Sequence, residues 1–215
     1  MVKTLSQAEI AEAAQALADD ELVVAPTARW YMVCGRARCS TTASRIFRAK
    51  ARPNSKVLML CLGQPDWAEE LFLLTDEARV LAAHFWPGDL LLKLRWRSQS
   101  QSALHPGVGE PIALVGVPND PLGDLARALG EPLVASSANV SGDLDAQGTE
   151  PAISVDEARR FVELSSEPIR VVVDGGIAPQ ARHLTVVDAS RERASLEREG
   201  TLHPRAVAAA LGRAL

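Results

Sequence analysis

Short apolar runs of strand length alternate with amphipathic segments of helix period along nearly the whole chain, and this interleaving confines the fold to the α/β class. Leu22 to Ala25, Val57 to Leu62, Leu90 to Leu94, Ile112 to Val117, Leu133 to Ala135, Ile169 to Val173 and Leu184 to Val187 read as strands. Ser6 followed by Glu9 forms a capping-box pattern that opens a helix ending near Asp19, and Ser154 with Glu157 opens another that reaches about Leu164. Thr42 to Ala49 is a further helix with Ala43, Ile46 and Phe47 on its apolar side, stopped by Pro53. Asp76 to His84 and Pro121 to Leu129, closed by Gly130, continue the alternation, and Pro204 starts a last helix at its favoured first-turn position. The link between Val173 and Leu184 is too short for a crossover helix, so the sheet is predicted to be mixed rather than wholly parallel. No repeat or linker interrupts the 215 residues, so one domain over 1–215 is expected, a twisted mixed sheet with flanking helices.

Cys34, Cys39 and Cys61 are an odd number without CxxC or Cys/His spacing, which argues against a disulfide scaffold or structural zinc and suits a reducing cytoplasm. No run approaches the roughly 18 apolar residues of a membrane span, and the N-terminus is polar rather than signal-like. The expectation is a cytoplasmic protein without a membrane partner. Charge is the more telling feature. The net charge is −4, yet from Leu22 through Pro65 there is no Asp or Glu, while Arg29, Arg36, Arg38, Arg45, Arg48, Lys50, Arg52 and Lys56 all lie in that window. An acid-free basic run inside an acidic chain points to an anion site for a nucleotide, pyrophosphate or RNA backbone, and the plainer reading is a solvated basic face.

Two segments carry candidate chemistry. Lys50-Ala51-Arg52-Pro53 sets a compact charge and a planar guanidinium fork two residues apart, on the same side of an extended segment, where they could clamp a polyphosphate. Ala135-Ser136-Ser137-Ala138-Asn139-Val140-Ser141-Gly142 packs small hydroxyl and amide side chains at the carboxyl end of an apolar strand, a usual nucleotide position in α/β sheets. It is not a Walker A loop, since GxxxxGK[ST] occurs nowhere. Trp86-Pro87-Gly88 reads as a tight turn with Trp86 in the core, and Asp174-Gly175-Gly176 as a turn after a strand. His84, His105, His183 and His203 are far apart without HExxH spacing, and no GxSxG elbow supports a serine triad.

Taken in order, these segments resemble the YrdC-like family, whose best-known members are threonylcarbamoyl-AMP synthases of tRNA modification. The resemblance runs from about Leu22 to Gly200 and rests on Pro26-Thr27 with Tyr31, Lys50 to Pro53, Trp86-Pro87-Gly88, Val117-Pro118, Ser137-Ala138-Asn139 with Ser141-Gly142, Asp174-Gly175-Gly176, Thr185 to Asp188, and Arg198 with Gly200. It implies a single twisted α/β domain with a basic concave cavity, in which ATP, bicarbonate and L-threonine give threonylcarbamoyl-adenylate and pyrophosphate. By the same resemblance Lys50, Arg52, Ser137, Asn139 and Arg198 match nucleotide and phosphate positions, Lys50 and Arg52 being the catalytic candidates. Thr27, Arg29, Tyr31, Cys61 and Leu184 fall in the substrate pocket. ATP is the implied cofactor, accompanied by Mg2+, with no metal held by the protein.

The departures from that family are informative. Arg29 stands where the family keeps a threonine, Cys61 where it keeps a histidine, Leu184 in place of a serine, Leu91 in place of a threonine and Gly116 in place of an arginine. Nucleotide positions persist while acceptor positions do not, and a site that loses hydrogen bonds to a substrate loses much of its discrimination. The sequence therefore favours a carbamoyl-adenylate-type synthase with another small amine or amino-acid acceptor, or with carbamoyl phosphate in place of bicarbonate, and with a partner transferase or RNA downstream. Two alternatives stand beside it: the ordinary L-threonylcarbamoyladenylate synthase, and a noncatalytic nucleotide- or RNA-binding module that keeps only the basic cavity. Arg29 requires a partner in either enzyme, a carboxylate on the acceptor or a nearby acidic side chain, because an unpaired buried charge is costly.

Overall fold

Continuous apolar runs in the central strands give this sheet two buried faces, each with its own layer of helices. The computed structural model describes residues 2–51, 57–140, 150–178 and 183–214. The strands are β1 (Lys3–Ser6), β2 (Leu22–Pro26), β3 (Tyr31–Arg36), β4 (Met59–Cys61), β5 (Phe72–Leu73), β6 (Leu90–Trp96), β7 (Ile112–Gly116), β8 (Leu133–Ser137), β9 (Ile169–Asp174), β10 (Thr185–Asp188) and β11 (Ser195–Arg198). The helices are α1 (Ile10–Ala18), α2 (Thr42–Ala49), α3 (Asp66–Leu71), α4 (Asp76–Phe85), α5 (Gln99–Ala103), α6 (Pro121–Leu129), α7 (Val155–Leu164) and α8 (Pro204–Leu211).

All the strands join one mixed sheet in the order β1-β9-β2-β3-β8-β4-β7-β6-β10-β11, with β5 paired to β6. Parallel pairs (β1 with β9, β9 with β2, β4 with β7, β6 with β10) alternate with antiparallel ones around β3, β8 and the β7–β6 pair. On one face Val23, Cys34, Met59, Cys61 and Leu133 pack under Ala13, Ala14 and Leu17 of α1 and Leu122, Leu125 and Ala126 of α6. On the other, Val24, Val33, Leu60, Val115 and Val134 meet Ile46 and Phe47 of α2, Leu81 of α4 and Phe161 of α7. The sheet curls strongly. Arg29, between β2 and β3, third and fourth in the order, reaches Asp89 just before β6, the eighth, and Thr201 just after β11, the tenth.

Both capping boxes form, Ser6 with Glu9 opening a short 3-10 turn that runs into α1, and Ser154 with Glu157 opening α7. Asp120 caps α6 ahead of Pro121, and Gly130 ends that helix in the left-handed region at φ 78°. Trp86 is buried, donating its indole N–H to the Leu90 carbonyl at 2.8 Å. Six elements have no counterpart in the sequence reading: β1, β3, α3, β5, α5 and β11. The link between Val173 and Leu184 leads not to a neighbouring strand but from β9, second in the sheet, to β10, next to last. No helix among the described residues is long and apolar enough to cross a membrane.

The last helix is tied down through a charge. Arg213 donates to Glu77 of α4 at 2.5 and 2.7 Å, and Glu77 also accepts from the Ala194 N–H at 2.6 Å. Hydrogen bonds from Arg213 hold the Glu77 carboxyl down at about 2. A carboxyl depressed on folding stabilises the protein above its unfolded value and loses that contribution as pH falls through the folded one. Glu77→Gln is therefore expected to lower the unfolding midpoint at pH 7 and to flatten the stability–pH curve between about pH 4.5 and 2. Urea titrations of both proteins across that range check it.

Candidate functional site

The carboxyl end of β8 is where the apolar pattern gives way to small polar side chains, and Lys50 converges on it. Lys50 follows α2 as its C-cap and is 1% exposed. Its ammonium donates to the Ser137 carbonyl, to Asn139 Oδ1 at 2.7 Å and to the Asn139 carbonyl at 2.9 Å, with Ser137 Oγ at 3.4 Å. Ser137 Oγ in turn donates to Asn139 Oδ1 at 2.7 Å. Burying an ammonium is tolerable only when acceptors replace its water, and here main chain and side chain both supply them. Lys50 thus fixes the loop that begins at Ser137. Arg52, Ser141 and Gly142 of the same two motifs lie outside the described residues.

Beside this loop is a cavity of about 230 Å³ on the α6 face of the sheet. Its floor follows the strand ladder: Met32 of β3 pairs with Ser137, Ala135 with Met59 of β4, Met59 with Leu114 of β7, and Gly116 with Leu91 of β6. Thr27, Arg29 and Asp120 line it as well, and so do Leu184 and Arg198. Arg198 donates from Nε and Nη2 to the Leu184 carbonyl at 3.2 and 3.1 Å, tying β11 to the residue before β10. Gly200 packs directly behind this segment, where a Cβ would stand 2.2 Å from the His183 carbonyl oxygen and 2.5 Å from the Thr185 nitrogen.

Of the expected pocket residues, Thr27, Arg29 and Leu184 line the cavity, together with Ser137 and Arg198. Thr27 spends its hydroxyl on the local turn, donating to the Trp30 carbonyl at 2.7 Å and accepting from the Arg29 N–H at 3.2 Å. Tyr31 is elsewhere: fully buried, it donates to the Gly176 carbonyl at 2.8 Å and accepts from the Gly175 N–H at 3.0 Å, so it anchors the turn after β9. Burial pushes its phenol up. Cys61 shares the Met59 face of β4 but lies under α6, where burial, with Cys34 and Asp120 nearby, raises its thiol well above the usual range. Cys34, on the same face, is pushed up to about 12 by burial.

The acid-free run finds its counter-ions elsewhere in the chain. Arg36 pairs with Asp20 and Glu131, Arg45 and Arg48 share Glu167, and Arg29 meets Asp89 at 2.5 Å. Among the described residues the cavity carries Arg29 and Arg198 against Asp89 and Asp120, so its charge is mixed where a basic cavity was expected. Asp120 and Asp89 were not singled out in the sequence. Burial pushes the Asp120 carboxyl up, although it accepts N–H bonds from Ala28 at 3.3 Å and Leu122 at 3.1 Å. The partner demanded for Arg29 is Asp89, an acid directly after Trp86-Pro87-Gly88 and thus adjacent to a motif already marked. No group of three His, Cys, Asp or Glu among the described residues could hold a metal ion.

Lys50→Met is expected to cost about 1–3 kcal/mol, the penalty for leaving a buried acceptor unsatisfied. Chemical denaturation measures the loss, and faster amide exchange at Ala138 and Asn139 than in the parent identifies the loop as its seat.

Residues 15–200 match the family model of Sua5, YciO and YrdC proteins, described as telomere recombination. Threonylcarbamoyl-AMP synthase of Bacillus subtilis is 29% identical over 208 residues, covering 95% of this chain and 57% of that protein. The chain therefore spans little more than half the length of that relative. A putative threonylcarbamoyl-AMP synthase of Mycobacterium tuberculosis H37Rv is 28% identical over 205 residues, covering 94% of this chain and 89% of its own. Among solved structures, Pyrococcus abyssi Sua5 complexed with L-threonine superposes with a TM-score of 0.83 at 26% identity, over 100% of this chain and 62% of that one. Escherichia coli YciO superposes with a TM-score of 0.73 over 94% and 98%, and at 19% identity it shows the fold alone. With the family match running through β2 to β11 and both strand-end motifs, the chain belongs to the Sua5/YciO/YrdC family.

Proposed function

We propose that this protein is an ATP-dependent enzyme that forms a carbamoyl-adenylate on an acceptor other than L-threonine. The observation that carries this reading is the Lys50-braced loop from Ser137 to Asn139, which opens beside a cavity also reached by Arg198. Small donors held rigid next to a guanidinium suit phosphates, whose reaction needs positioning and charge stabilisation more than covalent chemistry. The relatives' names, threonylcarbamoyl-AMP synthase, supply the reaction class. An acceptor amine and bicarbonate condense to a carbamate and water. A carbamate oxygen then attacks the α-phosphorus of ATP, and the bond to the departing pyrophosphate breaks. In this assignment Ser137 and Arg198 hold phosphate oxygens, while Lys50 keeps the loop in place and Arg52 adds a second cation. Arg29 occupies the place of a threonine hydroxyl and blocks the usual pose of L-threonine.

Calorimetry with ATP tests the nucleotide site. Ser137→Ala should weaken ATP binding by about 10-fold or more, the equivalent of one lost charge-assisted bond of about 1.5–3 kcal/mol, and Lys50→Ala should weaken it too by releasing the loop that presents Ser137. Affinities within twofold of the parent would place the nucleotide elsewhere.

Pyrophosphate release tests the acceptor. L-Threonine should not stimulate release by the parent protein, whereas Arg29→Thr with Leu184→Ser should restore measurable threonine binding. The ordinary L-threonylcarbamoyladenylate synthase is the second reading, favoured by the relatives' names and by a related structure complexed with L-threonine. Threonine-dependent release by the parent at about 1 per second or faster would establish it instead.

A further inference from the structure

Resting on the adenylating reading above, we infer that the acceptor is an amino acid with an apolar side chain of leucine or methionine size, seated on the sheet floor with its carboxylate at Arg29. Two independent observations meet here. The first is the floor itself. Met32, Met59, Leu91 and Leu114 come from four strands and all line the cavity, with Leu122 of α6 closing over them. Leu91 lies across Gly116: its Cδ2 is 2.6 Å from where a Cβ on residue 116 would stand, and Met59 Sδ is 3.8 Å from the same point. The leucine thus fills space that a side chain at 116 would contest, and the floor is apolar without a break at the place where β6 and β7 meet. A threonine hydroxyl laid on this surface loses its water and gains no partner, while a methylene gains contact. Two thioethers in the floor adapt to unbranched, branched or aromatic shapes.

The second observation is Arg29. Its side chain is 7% exposed, and Nη2 pairs with Asp89 at 2.5 Å and sits 3.4 Å from Thr201 Oγ1. Its Nε, also buried, has no hydrogen-bond partner among the described residues. Arg29 lines the cavity, and a ligand carboxylate there adds an acceptor to a buried guanidinium that the Asp89 pair leaves incompletely satisfied. Arg198 on the neighbouring wall offsets the added negative charge. An amino acid supplies both halves: a carboxylate for the Arg29 guanidinium, and an apolar side chain for the floor. Its amine is left to be carbamoylated.

Isothermal titration with leucine, methionine, phenylalanine, threonine and serine, each with and without ATP, reads this out independently of turnover. Leucine or methionine should bind at least about 10-fold more tightly than threonine, the discrimination that one or two methylenes give in a hydrophobic pocket. Arg29→Gln should weaken leucine by about 10-fold or more, as the loss of a charge-assisted bond requires. Leu91→Thr, which leaves the Arg29 pair intact, should bring the leucine-to-threonine ratio below about threefold by removing the apolar contact. Circular dichroism of both variants confirms folding. Threonine binding as tightly as leucine, or no amino acid binding while ATP binds normally, overturns the inference and leaves the adenylating reading standing. Amino acids binding in the expected order with no ATP binding overturns that reading and supports the apolar site.

Discussion

An ammonium ion buried among carbonyl oxygens is the interaction on which the site depends. Lys50 closes α2 on one side of the sheet and its Nζ reaches the main chain just beyond β8. The helix, the strand and the loop therefore share one geometry. Side chains from a flexible loop cost conformational entropy to organise around a polyanion, and a loop already bound to Lys50 has been ordered during folding. The same arrangement makes Lys50 a positioning group first, with its distances to Ser137 and Asn139 all internal to the protein.

Most of the sheet was legible because its strands are buried on both faces and read as continuous apolar runs. β3 escaped because Gly35 and Arg36 break its run and Trp30 precedes it, although Tyr31 to Gly35 are buried. β1 and β11 are edge strands of polar composition, Lys-Thr-Leu-Ser and Ser-Leu-Glu-Arg, stabilised by one neighbour rather than by their own pattern. α3 and α5 are too short for a 3.6-residue period to show. The sheet order was not legible at all, since register and neighbours are set by contacts between distant segments.

The site was legible as motifs but not as contacts. Ser137, Asn139 and Lys50 were marked as two motifs around one nucleotide, and the structure adds that Lys50 is bonded to the loop itself. Tyr31 was marked for the pocket and instead bridges Gly175 and Gly176, a role that a single buried hydroxyl can fill anywhere in a fold. Part of the acid-free run is neutralised within the protein, which a count along the chain cannot see: Glu167, distant in sequence, lies against both Arg45 and Arg48. Such partly exposed pairs contribute little stability each, about 0–1 kcal/mol, yet they remove those cations from any ligand.

Gly200 bears on how such a pocket could change. There the chain lies against the main chain of His183 to Thr185, so this one contact is backbone on backbone. A side chain at 200 cannot enter it without separating the two segments. The opposite surface is made of Met32, Met59, Leu91 and Leu114, each replaceable without moving the chain. A change of ligand preference on this geometry therefore falls to side chains, those of the strand floor and of Leu184 and Arg198, while the backbone contact at Gly200 sets the distance between the segments that carry them.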